Sequence, residues 1–322
     1  MSAGGARFHG PRGGAGPSVV AIGVFDGLHL GHRAILDRAL ARARAEAARC
    51  VVVSFDPHPA LVLNPGGFHW VAPLTPLEEK RERLLALGVD ELRVIPFTRE
   101  LSRLEPEEFV REELVRPFQP LALVVGCDFA LGRGRSGSVE RLAEIGCHEG
   151  FDVDAVPLLE IDGARVSSSR IRELLGAGRV EEAAHLFGRR YDLKGTVVRG
   201  HGVGRTLGFP TANLRLHEEK LVPADGIYVA RARLGDDSEW RAAAMSIGVR
   251  PTFDGRERQL EVFTLDWNRD LVGAEIDVEF VSWLRTEKKF DTPDQLVAAI
   301  ADDVAETRRR LGEAVPPPGE LT

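Results

Sequence analysis

A glycine-rich turn near the start of the chain carries two histidines three positions apart. His29 and His32 belong to residues 23–32 (GVFDGLHLGH), which follow the apolar run at residues 18–22 (SVVAI). The apolar run predicts a buried strand, and residues 32–40 predict the start of a helix. Backbone N–H groups and the helix dipole favour anions at such a start, and imidazoles add further donors. The segment predicts a site for nucleotide phosphates. The alternative is a satisfied histidine pair in a tight turn.

A second glycine-rich segment, residues 200–214 (GHGVGRTLGFPTANL), lies in the other half of the chain. Its glycines let the backbone approach a ligand closely, but the lysine and helix of a Walker-type loop are missing. Thr211 and Asn213 alternate, so in an extended segment their side chains point to the same side. A hydroxyl and an amide oxygen there could hold Mg²⁺, which also takes phosphate oxygens and water. A plain hairpin with turn-forming residues is the alternative.

Glu261 is the one carboxylate within the apolar run at residues 260–265 (LEVFTL). Alternation along a strand favours an outward-facing surface residue. The functional alternative is a partly desolvated general base that takes a proton from a substrate hydroxyl. Phosphoryl transfer to an alcohol needs positioning, a metal and such a carboxylate, so Glu261 would complete the set begun by Thr211 and Asn213.

Around the two histidines, short apolar runs alternate with helical patterns. Strands are predicted at residues 18–22, 50–55, 92–97 and 121–125, and helices at residues 33–49, 76–87 and 106–115. Strands that are buried on both faces and alternate with helices indicate a Rossmann-type α/β fold with a parallel sheet. Ligands bind beyond the carboxyl ends of such strands, where His29, His58 and the turn at residues 126–129 (GCDF) fall.

The first half closes with residues 166–175 (VSSSRIRELL). Serine is a strong N-cap, and the apolar positions share one helical face, so the segment is typical of a well-capped helix. It is equally compatible with a second phosphate-binding helix start that has two arginines in reach. A short helix predicted at residues 180–187 leads to the boundary between the two halves.

From Tyr191 the pattern changes to consecutive strands with tight turns. Strands are predicted at residues 193–198, 226–234, 241–247, 260–265 and 275–280, followed by a helix at residues 293–311. This order indicates an antiparallel β-barrel with a C-terminal helix. The predicted division is a disordered lead-in at 1–17, an α/β domain at 18–187, a barrel domain at 188–312 and a disordered tail at 313–322.

The composition excludes several classes of protein. A chain of 322 residues predicts two domains, and a net charge of −7 argues against a general nucleic-acid binder. No apolar run reaches membrane-spanning length, and the N-terminus lacks the apolar core of a signal peptide. The three cysteines form no Cys-x-x-Cys pair, which argues against a disulfide framework or a zinc site. We therefore expect a cytoplasmic protein with no membrane or nucleic-acid partner.

Together, these motifs resemble those of the prokaryotic bifunctional riboflavin kinase/FMN adenylyltransferases, also called FAD synthetases. The resemblance extends from about residue 19 to residue 311. It rests on residues 23–32, 55–59, 126–129, 167–172, 204–213, 226–228 and 247–253, and on Glu261 and Phe290. It implies a nucleotidyltransferase-like α/β domain followed by a riboflavin kinase barrel.

The resemblance implies two sequential reactions. The barrel would phosphorylate riboflavin with ATP to give FMN and ADP. The α/β domain would adenylylate FMN with a second ATP to give FAD and pyrophosphate, without a covalent intermediate, since the FMN phosphate is already an anionic nucleophile. Mg²⁺ is the implied cofactor, with riboflavin, FMN and ATP as substrates and apo-flavoproteins as acceptors of FAD.

The resemblance also implies roles for individual residues. His29 and His32 would hold the ATP phosphates and the charge that develops on phosphorus. Thr211 and Asn213 would bind Mg-ATP, and Glu261 would act as base toward the terminal ribityl hydroxyl. The residues implied to grip the departing pyrophosphate are Ser168, Arg170 and Arg172. The other implied nucleotide- and phosphate-binding positions are Gly23, Phe25, Asp26, Gly31, His58, Asp128, Gly204, Arg205, Gly208, Pro210 and Thr211.

Two positions depart from the family pattern, and two other functions stay open. Ser169 stands where the family has threonine, and Phe263 stands where histidine is expected. The chain could instead be a single-activity nucleotidyltransferase for another phosphate acceptor, with the barrel as a specificity domain. It could also be a binding protein in which a nucleotide-sensing module is fused to a barrel that binds RNA or protein. The intact set of Thr211, Asn213 and Glu261 argues against a single-activity nucleotidyltransferase. The excess of acidic over basic residues argues against a barrel that binds RNA.

Overall fold

The structure, a computed structural model, describes residues 7–9, 16–64, 72–199, 211–235, 237, 239–252, 255–265 and 271–312. The chain divides into two compact units, Met1–Ser168 and Ser169–Thr322. The first unit contains a parallel α/β sheet and the second a closed antiparallel barrel. Both predicted fold classes are therefore confirmed.

The main sheet of the first unit has six strands. They are β1 (Arg7–His9), β2 (Ser18–Ile22), β3 (Arg49–Asp56), β4 (Glu91–Pro96), β5 (Pro120–Gly126) and β6 (Asp152–Val156), in the order β1-β4-β3-β2-β5-β6. Strands β2 to β6 run parallel, whereas β1 pairs antiparallel with β4. Strand β1 lies within the segment predicted as a lead-in, and it covers the edge of β4.

The chain order of these strands reverses between β2 and β5. From β2 the chain proceeds to β3 and β4 on one side, and then crosses to β5 and β6 on the other. Such a switch point leaves a crevice beyond the carboxyl ends of the two central strands, where ligands of α/β proteins bind. The turn after β2, which carries His29, and the turn after β5, which carries Asp128, both open onto this crevice.

Helices cover both faces of the sheet. They are α1 (Leu30–Ala45), α2 (Pro59–Leu63), α3 (Leu77–Ala86), α4 (Pro106–Phe109), α5 (Arg116–Phe118) and α6 (Val139–Glu149), with a π-helical segment at Val110–Val115. On one face Val19 and Val52 pack with Leu36 of α1 and Leu84 of α3. The opposite face packs against α4 to α6. Each core excludes water from one side of the strands, as near-continuous apolar runs require.

Helix α1 and the region after β5 differ from the prediction. The helix begins at Leu30, ahead of the predicted Arg33, because His29 already caps it. It ends at Ala45, since Ala47 turns the chain with a left-handed φ of 50° and Arg49 begins β3. Helix α6, strand β6 and a small hairpin of β7 (Glu160–Ile161) and β8 (Ala164–Arg165) were not predicted.

The second unit contains two helices, a six-stranded barrel and a final helix. Its first helix, α7 (Ser168–Gly176), begins at the last residue of the first unit. The elements that follow are α8 (Val180–Phe187), β9 (Asp192–Val198), β10 (Ala212–Leu216), β11 (Gly226–Leu234), β12 (Arg241–Thr252), β13 (Gly255–Thr264), β14 (Glu275–Arg285) and α9 (Pro293–Leu311). The strands close in the order β10-β13-β12-β11-β14-β9, and every pair is antiparallel. On the outside, Val304 of α9 packs with Ala242 and Leu265.

Two differences from the predicted barrel bear on the site. Residues 212–216 form a strand of their own, β10, where the sequence predicted a loop with an extended segment. Strands β12 and β13 are longer than predicted, because their pairing continues as far as Thr252 and Gly255. Closure of the barrel needs β10, since it pairs with β9 on one side and β13 on the other.

Candidate active sites

The turn between β2 and α1 has an unusual backbone. Phe25 and Leu28 adopt φ values of 51° and 46°, and Gly27 adopts 93°. A left-handed conformation costs a bulky residue about 1–2 kcal/mol, so such a turn persists only where its surroundings hold it. Here Asp26 holds it: its carboxylate accepts hydrogen bonds from the backbone N–H groups of residues 74 and 75, at 3.0 and 3.1 Å.

His29 and His32 form one stacked pair at the N-terminus of α1. The ring centroids are 3.7 Å apart and the rings are inclined by 14°. His29 caps the helix, since its Nδ1 accepts a hydrogen bond of 3.2 Å from the backbone N–H of His32. A neutral imidazole whose Nδ1 accepts carries its proton on Nε2. His29 can therefore offer an Nε2–H donor beside the backbone N–H groups of the first helical turn.

Both rings are held in the neutral state. Burial, together with the nearby Arg165 guanidinium, lowers the pKa of His29 to about 4. Burial also lowers the pKa of His32 well below its ordinary value, with added effects from His29, Lys80 and Arg165. At neutral pH the pair donates as imidazoles. A bound phosphate favours the charged form and raises these pKa values.

Other predicted residues lie around the same switch point. Ser168 donates a hydrogen bond of 2.8 Å to the backbone carbonyl of Asp26, which ties the start of α7 to the histidine turn. Asp128, after β5, forms an ion pair of 2.6 Å with Arg165. His58 caps α2, and its Nδ1 accepts from the Ala60 N–H at 3.1 Å. These contacts occupy Asp26, His58 and Asp128 with structural partners in this structure.

Two glycines at the turn lie in tight contact with aromatic rings. A Cβ at Gly31 would lie 3.2 Å from the His29 ring, and a Cβ at Gly23 would lie 3.3 Å from the Phe25 ring. The Phe25 ring is buried and contacts His32 edge-on, with centroids 5.4 Å apart. Arg170 and Arg172 lie two and four residues after Ser168 on helix α7.

The second candidate site lies on the outer face of the barrel. Asn213 of β10 pairs in register with Glu261 of β13, which pairs in turn with Ser246 of β12. Residues directly opposite each other share one face, with Cβ atoms about 5 Å apart. The next row, Ala212, Val262 and Met245, is buried inside the barrel. Thr211 directly precedes β10.

Near Glu261 lie a glycine, Gly248, and a second carboxylate, that of Glu287. Gly248 pairs with Gln259, two positions from Glu261 on the same face of the barrel. A Cβ at Gly248 would collide with the carboxylate of Glu287. Burial raises the pKa of Glu287, and the charges of Asp225 and Glu261 raise it further. Phe263, where a histidine was expected, packs instead with the apolar cluster beneath α9.

Four predicted positions lie outside the described residues, namely Gly204, Arg205, Gly208 and Pro210. Sequence reasoning also missed four residues that contact the sites: Ser54, Lys80, Arg165 and Ser246. Lys80 had a signal, because it lies between Leu77 and Leu84 on the apolar face of α3. Arg165 and Ser246 had none, since only the folded hairpin and the barrel register bring them to the sites.

Comparisons with known proteins assign the two halves separately. The FAD synthetase family model matches residues 14–170, and the riboflavin kinase family model matches residues 187–311. Curated relatives agree over nearly the whole chain. The chain belongs to the bifunctional riboflavin kinase/FMN adenylyltransferase family. Its resemblance to that family, inferred from the sequence motifs, is thereby confirmed.

Three relatives carry the name bifunctional riboflavin kinase/FMN adenylyltransferase. The protein of Listeria monocytogenes is 37% identical over 90% of this chain and 91% of its own length. The protein of Escherichia coli K12 is 35% identical, with 92% and 94% covered. The protein of Pseudomonas fluorescens is 38% identical, with 90% and 92% covered.

A solved structure shares the fold of this family member under a different name. The crystal structure named "Macrolide-efflux Protein from Streptococcus pneumoniae" has a TM-score of 0.84 and 33% identity, and the match covers 92% of this chain and 96% of that one. The efflux name finds no support in either family model or in the curated relatives above. Among the described residues, no helix has the length and apolar character needed to cross a membrane.

Proposed function

We propose that the barrel unit phosphorylates riboflavin with ATP and that the α/β unit adenylylates the resulting FMN with a second ATP. For the division of the chain we keep the predicted bounds, 18–187 for the adenylyltransferase and 188–312 for the kinase, flanked by a lead-in and a tail. The family matches at residues 14–170 and 187–311 support these bounds. The observation that carries the proposal is that each unit holds its own constellation for transfer to phosphorus.

In the α/β unit the histidine pair is the anion site. A phosphate oxygen of FMN attacks the α-phosphorus of ATP, the bond to the bridging oxygen breaks, and pyrophosphate leaves. The N–H groups at the start of α1 and the Nε2–H of His29 stabilise the charge that builds up on the α-phosphoryl oxygens. His32 holds the orientation of His29 through its backbone N–H and its stacked ring. Ser168, which is bonded to the histidine turn, would hold the departing pyrophosphate. Arg170 and Arg172, which the sequence predicts for the same role, lie just beyond this unit, at the start of the second one.

In the barrel unit Glu261 is the general base. It takes the proton of the terminal ribityl hydroxyl as that oxygen attacks the γ-phosphorus of ATP and ADP leaves. The in-register pairing of Asn213 with Glu261 supports this role, because it places an amide oxygen beside the carboxylate on one face.

The donors beside Glu261 fit Mg²⁺. Thr211 and Asn213 supply only oxygen atoms, which suits a hard cation that takes its other ligands from phosphates and water. Among the described residues no group of three or more His, Cys, Asp or Glu side chains could hold a metal ion. A site completed by ATP is therefore the arrangement we propose. The ion would neutralise charge on the β- and γ-phosphates.

We further propose a cytoplasmic location and delivery of FAD to apo-flavoproteins. Cys50, Cys127 and Cys147 are all free thiols, a pattern typical of reducing compartments. The net charge of −7 argues against a nucleic-acid partner. FAD is itself a cofactor, so its chemical destination is a flavin-dependent protein.

The direct test is to incubate the purified protein with riboflavin, ATP and MgCl₂ and to separate the flavins by chromatography. We expect FMN first and FAD later, with ADP and pyrophosphate as co-products. FMN without FAD would contradict the role of the histidine site and would favour another phosphate acceptor. No conversion of either riboflavin or FMN would contradict both assignments.

A further inference from the structure

Lys80 is a buried cation that the mechanism above does not use. Its side chain lies on α3 and is 6% exposed. Lysine is almost never buried without a partner, and Lys80 has two: its Nζ donates to the Val24 carbonyl at 2.8 Å and to Ser54 Oγ at 3.3 Å. Burial lowers the pKa of Lys80, while the charges of Asp26 and Asp56 favour its protonated form.

The Val24 carbonyl accepts hydrogen bonds from two side chains at once. It accepts from Lys80 and also from Ser54 Oγ, at 2.9 Å. The residue that follows is Phe25, the first of the left-handed positions of the histidine turn. A strained turn keeps its conformation only where neighbouring groups hold it. We expect hydrogen bonds to the peptide that enters the turn to hold that conformation most effectively.

The Phe25 side chain connects this peptide to the histidine pair. Its buried ring contacts the His32 ring edge-on at 5.4 Å, and His32 stacks on His29 at 3.7 Å. Rotation of the peptide that joins Val24 to Phe25 would move the Phe25 ring and release His32. Packed aromatic rings transmit such a shift because the interior has little free space.

We propose that Lys80 is a positioning residue for adenylyl transfer: its ammonium fixes the Val24 carbonyl and thereby the stacked pair of His29 and His32. The proposal rests on the function assigned above to the histidine site. Lys80 touches no reacting atom in this account. It acts through the backbone of the turn and, as a buried charge near His32, by keeping that imidazole neutral.

The electrostatic part of the role involves a defined set of groups. The charged or titratable groups that act on His32 are His29, Lys80 and Arg165. Asp26 and Asp56 act on Lys80. If the ammonium is removed, one positive neighbour of His32 disappears, and the pKa of His32 must rise. Loss of a purely structural contact elsewhere on α3 would not have this effect.

The test compares Lys80→Met with Lys80→Arg in the full-length protein. Arg81→Met is the matched control, because Arg81 lies on the same helix in a more exposed ion pair with Glu78. The second activity of the chain, riboflavin phosphorylation, is an internal standard. We expect Lys80→Met to lower kcat for FAD formation from FMN about 10²-fold, since a small misplacement of catalytic groups costs that much. Kinase turnover should stay unchanged.

Two further readouts separate positioning from mere folding. In Lys80→Met, the midpoint of the His32 titration followed by NMR should move to higher pH. In Lys80→Arg, both this midpoint and kcat for FAD formation should return part of the way to their wild-type values. If Lys80→Met does not fold, Ser54→Ala removes the other donor to the Val24 carbonyl. That variant should lower kcat for FAD formation about tenfold while the KM for ATP changes little.

Two results would overturn the proposal. One is a folded Lys80→Met protein that keeps its kcat for FAD formation and its His32 titration. The other is an unfolded Lys80→Met protein together with a fully active Ser54→Ala protein. A wild-type protein that forms no FAD would instead refute the proposed function. The His32 titration would then still test whether Lys80 controls the histidine pair.

Discussion

Substitution of His29 by asparagine should change how the α/β unit responds to acid. The imidazole has an ordinary pKa of 6.5, and in the folded protein burial lowers it to about 4. As the pH falls, the unfolded chain therefore takes up this proton first. The contribution of His29 to the free energy of unfolding is fully present above pH 6.5. It is lost as the pH falls from 6.5 toward 4. Asparagine does not titrate, and its amide oxygen can still cap α1.

The magnitude follows from the two pKa values. At about pH 5 the unfolded imidazole is almost fully protonated, whereas folded His29 is mostly neutral. This difference lowers the unfolding free energy of the wild type by about 2 kcal/mol relative to pH 7.5, at about 1.4 kcal/mol for each tenfold change in the equilibrium. In His29→Asn the loss between these pH values should be smaller by that amount.

Hydrogen exchange followed by mass spectrometry measures this effect in one unit of the chain. Peptides from β2 and β5 report the opening of the α/β core, whereas global unfolding of a two-unit chain is not two-state. His148→Asn, an exposed substitution on α6, is the matched control. Equal loss of stability on acidification in His29→Asn and the wild type would refute the assignment of a buried, neutral His29.

Three other substitutions test the geometry. Gly31→Ala places a methyl group 3.2 Å from the His29 ring, and chromatography should show FAD formation from FMN reduced at least tenfold with riboflavin phosphorylation intact. Asn213→Ala removes the amide beside Glu261, and steady-state kinetics should show a lower kcat for FMN formation and a higher KM for Mg-ATP. Gly195→Ala brings a methyl group against the Arg215 carbonyl of the neighbouring strand β10, so calorimetry should show destabilisation by about 1–3 kcal/mol. Unchanged values would contradict each expectation.

The α/β half was predictable because its signals are local. The apolar runs at residues 18–22 and 121–125 became adjacent central strands, and the turn after the first became the histidine site. Alternation of strand and helix implies a parallel sheet, and a parallel sheet collects its turns at one edge. That edge could therefore be assigned before the fold was known.

The contacts that fix the histidine turn could not be predicted in the same way. Lys80 and Ser54 meet at the Val24 carbonyl, although they are separated from it by 56 and 30 positions in sequence. Lys80 lies on the apolar face of α3, but charged residues on amphipathic helices are normally solvated. Its burial and its contacts with Val24 and Ser54 appear only in the folded structure.

In the barrel, the sequence indicated candidate residues for a site but not their arrangement. The spacing of Thr211 and Asn213 indicated a shared side, and Glu261 stood out as a carboxylate among apolar residues. The direct pairing of Asn213 with Glu261 depends on the register of β10 with β13, which follows from barrel closure. Ser246 joins the same row through the long β12–β13 hairpin.

The central claim is that two separate sites carry two separate reactions. The most direct measurement compares His29→Ala and Glu261→Ala in both half-reactions, riboflavin to FMN and FMN to FAD, in folded full-length protein. Loss of one oxyanion donor costs about 3–4 kcal/mol, or roughly 10²–10³ in rate. We expect His29→Ala to lose FAD formation and keep FMN formation, and Glu261→Ala to do the reverse. Equal impairment of both half-reactions by either substitution would contradict the account.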